Sequence, residues 1–95
     1  MKDEENKMKI KNGFVTKEIA GQYVVVALGQ ASKIFNGIIK LNDSGKFIWD
    51  MLEKGAEKQE IVDALLGEYD GVDEATASAD VERFINELKG ANILE

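Results

Sequence analysis

The sequence predicts an α+β domain, with a meander of three antiparallel strands first and three helices after it. Two observations carry this. Glycines at 13, 21, 29, 37 and 45 cut the first half into short segments of equal length, several of them rich in β-branched residues. After Gly45 the apolar spacing lengthens from 2 to about 3.6 residues, the helical period.

The chain opens with MKDEENKMKIK, which is charged and has no periodicity. Residues 1–11 are therefore expected to be frayed, within an N-terminal arm of residues 1–13, with the domain proper at 14–95. FVTKEI at 14–19 reads as the first strand. The second, 22–28, is the clearest, because Tyr23 and three consecutive valines are strong β formers. QASKIFN at 30–36 reads as a connection in which Ile34 and Phe35 can pack, and IIKL at 38–41 as the third strand. The segments differ in sequence, so the spacing is a run of turns and not a repeat. Both faces of the second strand are apolar: Tyr23, Val25 and Ala27 on one, Val24, Val26 and Leu28 on the other. That pattern points to a cover for the outer face, which a sister chain in a homodimer, a partner protein or the N-terminal arm would supply.

In the first helix Ile48, Met51 and Leu52 form the apolar stripe with Phe47 beside them. Asn42 or Asp43 stands at the cap and Gly55 at the stop. The second helix carries Ile61, Val62, Leu65, Leu66 and Tyr69. Glu57 and Glu60 have capping-box spacing at its start, and Gly67 and Gly71 close it. Ala77, Val81, Phe84, Ile85 and Leu88 mark the third, with Asp73 as cap, Glu74 favouring the dipole, and Gly90 and Asn92 as stop signals.

Composition removes several functions. With 95 residues there is room for one core. There is no cysteine, hence no disulfide, thiolate nucleophile or thiolate metal site, and no histidine, the commonest general base and zinc ligand. A net charge of −6 opposes a nucleic-acid backbone. No apolar run approaches the ~20 residues of a membrane span, and the N-terminus has no apolar signal core. A cytoplasmic protein is expected, with no metal, no cofactor, no membrane and no nucleic acid.

Gly45-Lys46 stands where a phosphate-binding loop would sit. That loop requires a glycine five positions earlier and a hydroxyl residue after the lysine; Lys40 and Phe47 occupy those places. The nucleotide reading fails, leaving Lys46 as a solvated lysine. Asp63, Glu68, Asp70, Asp73, Glu74 and Asp80 could in principle supply paired carboxylates, but on polar helix faces they read as solvating charge. Asp80 reads as structural, favouring the helix dipole or pairing with Arg83 or Lys46. Trp49, the only tryptophan, reads as core with its indole N–H bonded at the edge; the other reading is a partner-binding anchor.

The segment GIIKL at 37–41 is the strongest functional candidate. Alternation puts Ile39 and Leu41 on one face and Ile38 and Lys40 on the other. Leu41 leads into the first helix, so its face is the core face. As the last strand of a meander, 38–41 is an edge, and its unpaired N–H and C=O groups can pair with an extended peptide.

From Gly37 onward the sequence resembles the PqqD-like family, the recognition elements of pathways that modify ribosomally made peptides. The resemblance rests on Leu41-Asn42, Gly45, Ile48-Trp49, Leu52, Glu60-Ile61, Leu65, Tyr69, Asp80-Val81, Phe84, Leu88 and Ile93-Leu94. Glu18, Ala20-Gly21 and the valine strand match upstream, so it covers residues 14–95. Glu57 departs, since the family often has Ser or Thr as that cap.

The resemblance implies a winged-helix-like fold and a protein that is not itself an enzyme. It would hold the leader of a precursor peptide as an added strand for a modifying enzyme, often a radical S-adenosylmethionine protein. The peptide would lie between the third strand and the third helix. Carried over by position, Ile38, Ile39, Lys40 and Leu41 form the ladder. Val81, Phe84, Ile85 and Leu88 lie on the helix stripe, most of it core with one or two residues reaching the cleft, and Arg83 and Glu87 select charge. The competing readings are a winged-helix nucleic-acid-binding or regulatory protein, opposed by the acidic second and third helices, and a small carboxylate enzyme.

Overall fold

The computed structural model describes residues 7–34 and 37–95. Strands β1 (Phe14–Ile19) and β2 (Gln22–Ala27) form an antiparallel hairpin, with Phe14 opposite Ala27 and Ile19 opposite Gln22. Its two turn residues, Ala20 and Gly21, have φ of 53° and 80°. Positive φ at both positions gives the twist a two-residue hairpin needs; glycine adopts it freely, whereas for alanine it costs about 1 kcal/mol.

The segment expected to be a plain connection contains a four-residue helix, α1 (Ala31–Ile34), while Phe35 lies outside the described residues. Strand β3 (Ile39–Leu41) pairs with β2, Val25 opposite Ile39 and Tyr23 opposite Leu41. The order β1-β2-β3 leaves β3 at an edge, as expected. Ile38 falls just before the strand and is 67% exposed.

Helices α2 (Asp43–Lys54), α3 (Lys58–Glu68) and α4 (Glu74–Gly90) complete the α+β order. Each start is fixed by a side chain. The Asn42 side chain accepts from the Gly45 N–H at 2.7 Å, and that of Asp73 accepts from the Thr76 N–H at 2.8 Å. Glu60 accepts from the Glu57 N–H at 2.8 Å, completing the capping box that the two glutamates' spacing predicted. These backbone donors stabilise the ionised form, so Asp73 and Glu60 are held below the ordinary carboxylate range, Glu60 with added help from Lys7.

The core lies between the inner sheet face and the helices. Val25, Trp49, Leu52, Ile61, Ala77, Val81 and Ile93 are fully enclosed in it. Trp49 donates its indole N–H to Glu53 at 3.0 Å, which satisfies the buried ring's one polar atom and leaves no surface for a partner anchor.

The arm differs from its expected frayed state over residues 7–11. Met8 and Ala56 exchange two main-chain hydrogen bonds, and Ile10, 6% exposed, donates to Leu52 O. Lys11 donates to Ile93 O, and Glu95 donates to Lys9 O. The charge of this stretch hides two apolar residues, Met8 and Ile10, which alternate inward and stitch the arm to the α2–α3 junction and the C-terminal tail.

On the outer sheet face Val24 is buried yet outside the core cluster. Lys17 and Lys40 stand opposite it on the two flanking strands, where their aliphatic stems can cover it. Ile19, Leu28 and Ile38 share that face by alternation and are more than half exposed.

Candidate functional site

Antiparallel pairing makes main-chain groups point alternately to the two sides of a strand. Leu28 N–H donates to Gly13 O at 2.7 Å, which sets the phase. Counting back along β2, Val26 and Val24 point at β1, and Val25 and Tyr23 point at β3. Their register partners Ile39 and Leu41 therefore turn their N–H and C=O inward, and Lys40 turns its pair outward, onto the open edge.

Beside that edge runs a groove of about 680 Å3. One wall is Ile39, Lys40 and Leu41 with Tyr23 from β2; the opposite wall is Asp80, Arg83, Phe84 and Glu87 on α4. Residues 42–45 and Ile48, at the start of α2, close one end. The arrangement follows from sequence spacing. One residue, Asn42, separates β3 from α2, so the helix start must lie against the strand end. Gly45 permits the close approach: a Cβ there would stand 3.0 Å from Asn42 Oδ1 and 3.6 Å from Phe84. The glycine that suggested a phosphate loop serves a helix cap and the groove wall.

The nine site residues expected from sequence separate into three groups. Ile39, Lys40, Leu41, Arg83, Phe84 and Glu87 come together around the groove. Val81 and Leu88, 0% and 1% exposed, belong to the core and offer a peptide no surface; this corrects the expectation for them. Ile38 lies outside the groove on the outer face. On α4 the stripe is wider than the core can use, and Phe84, three residues from Val81, is its half-buried margin.

Tyr23 and the start of α2 were missed. Tyr23 is visible as a wall residue only once its register opposite Leu41 is known. Its ring is held by Lys46, whose Nζ stands 5.0 Å from the ring centre and bonds both carboxylate oxygens of Asp50 at 2.7 and 2.8 Å. The bond to Asp50 raises the Lys46 pKa above the ordinary lysine value. This lysine is thus a packed support, not the solvated one expected. Arg83 bonds Asp80 at 3.1 Å across one helical turn, the pairing that sequence suggested for Asp80.

Groove charge is mixed. Lys40 and Arg83 face Asp43, Asp80 and Glu87, and the α4 wall is more acidic than basic. Among the described residues no cluster of three or more His, Cys, Asp or Glu could hold a metal ion. None of their helices is long and apolar enough to cross a membrane.

Among curated proteins no match is found. A solved structure described as TbiB1 in complex with the TbiA(beta) leader peptide is similar, with 32% identity and a TM-score of 0.72. The match covers 92% of this chain and 94% of that one. The family model for coenzyme PQQ synthesis protein D (PqqD) matches residues 22–94, which hold β2, β3 and all four helices. The chain belongs to the PqqD family.

Proposed function

We propose that this protein is a peptide-binding accessory protein. It holds the leader of a ribosomally made precursor peptide as an extra strand on β3 while a partner enzyme modifies the rest. The observation that carries this is the open β3 edge, with Lys40 presenting its main-chain pair toward a groove walled by α4. Support comes from the similar structure, which was solved with a leader peptide. Main-chain pairing supplies affinity without reference to side chains, and the walls supply register and selectivity. Holding the leader raises the local concentration of the remainder at the enzyme.

In this reading the chain performs no chemistry, needs no cofactor and acts in the cytoplasm. The modifying enzyme is of the radical S-adenosylmethionine class or another peptide-modifying class. A homodimer through the outer sheet face is disfavoured, because two-fold pairing would bring the Lys17 and Lys40 patches together. The mixed charge of the groove, with no basic excess, favours a peptide over a nucleic acid.

The test is a titration with the leader of a precursor encoded beside this chain, followed by amide NMR. Shifts should concentrate at 38–42 and at Asp80, Arg83, Phe84 and Glu87. Shifts confined to β1 or to the exposed face of α3 would overturn the proposal.

A further inference from the structure

Among the described residues, three large apolar side chains stand mostly exposed: Ile19, Leu28 and Ile38, at 56%, 51% and 67%. Single residues of this kind scattered over a surface are ordinary. These are not scattered. Strand alternation puts all three on the outer sheet face, together with Val15 and Val26, which are half-buried and stand opposite each other on β1 and β2. The core cluster and helices α2, α3 and α4 pack against the other face. The charge of the outer face is as distinctive. The chain carries 18 acidic and 12 basic residues. Yet the charged residues that alternation turns outward from the three strands are Lys17 and Lys40, with no carboxylate among them.

We propose that this face docks the peptide-modifying enzyme, through an enzyme surface of apolar side chains flanked by carboxylates. The inference rests on the peptide-binding reading and gives it a second surface. Charge complementarity carries it. A second copy of the chain would set lysines against lysines. An anionic bilayer would meet only two lysines and would repel a chain of net charge −6. An apolar protein surface edged with acids meets both the branched side chains and the lysines. Apolar contact then supplies the attraction, and the flanking lysines set the orientation and the rate of encounter. Lys40 marks the boundary between the two surfaces. Its main-chain pair faces the open edge, while its side chain belongs to the outer face, opposite Val24. The groove lies on the inner side, walled by Tyr23, Leu41 and α4, so leader and enzyme can be held together on separate surfaces.

The experiment measures the affinity of the full chain for the purified modifying enzyme encoded beside it and, separately, for the leader. One variant combines Ile19→Thr with Leu28→Thr, which removes apolar surface and keeps β-branched residues in the sheet. The other is Lys17→Glu. The double variant should weaken enzyme binding at least about tenfold. Lys17→Glu should weaken it too, by a factor that shrinks as salt is added. Leader affinity should be unchanged in both, and either variant decides the matter if the other does not fold. Enzyme binding that is indifferent to both variants, or absent while the leader binds, overturns the docking surface and leaves the groove standing. Self-association seen by light scattering, or binding to phosphatidylglycerol vesicles, that is lost in the double variant would give the face to another occupant and overturn the assignment. A leader that does not bind the parent overturns the peptide-binding reading, and the enzyme as partner falls with it.

Discussion

The two edge strands of the sheet each pair on one side with β2 and have different surroundings. Strand β1 is six residues long, pairs with β2 along its whole length, and contributes no residue to the groove. Strand β3 has three residues, yet α4 stands across from it and α2 starts one residue after it. An open edge offers hydrogen bonds to any extended chain, which is a hazard as well as an opportunity. What distinguishes β3 is the second wall: Phe84, Arg83 and Glu87 limit what can reach Lys40. In the proposed reading the helix turns an edge into a site.

The comparison can be sharpened first at that wall. Leu88→Ala, on the core side of α4, should destabilise the fold by about 2–5 kcal/mol in denaturant unfolding. Arg83→Ala on the groove side should change stability by less than about 1 kcal/mol, since its ion pair with Asp80 is exposed. Equal losses would mean that α4 does not divide into a structural and a binding side. Asn42→Ala removes the cap that seats α2 against β3 and should cost about 1 kcal/mol; no change would show that the β3 corner is held by packing alone. At the β1 end, Ala20→Asn relieves a left-handed alanine and should raise stability by about 0.5–1 kcal/mol in thermal melts. Peptide binding should be unaffected, and weakened binding would tie the hairpin turn to the site.

The smallest effect concerns pH. Folding depresses the pKa of Asp73 and Glu60, so their contribution is complete above the unfolded carboxylate range. It is lost as pH falls through the folded values. Melting temperature should be insensitive to these groups near neutrality and decline in acid. Asp73→Asn, which keeps a capping oxygen, should flatten part of that decline.

Much of this was legible in the sequence because it depends on local chemistry. Turn glycines and β-branched runs placed the strands; Asn42, Asp73 and the Glu57/Glu60 pair placed the helix starts. The edge position of β3 followed from meander order. What sequence could not resolve depends on distant partners. Val81, Leu88 and Phe84 carry the same periodic signal, and only the position of the sheet decides which of them reaches the groove. Lys46 looks solvated until Tyr23 and Asp50 are seen around it. Met8 and Ile10 are masked by neighbouring lysines, and their partners, Ala56 and Leu94, lie far along the chain.

The central claim, that β3 and not β1 takes a guest strand, is tested most directly by two prolines. Lys40→Pro and Glu18→Pro each remove an N–H that points away from β2, one from each edge, so neither breaks the ladder within the sheet. With both variants shown to be folded by circular dichroism, leader-peptide affinity is measured for each. The account predicts that Lys40→Pro loses at least about tenfold in affinity, about 1.4 kcal/mol, and that Glu18→Pro binds as the parent does. Equal affinity for the two, or loss in Glu18→Pro alone, would contradict it.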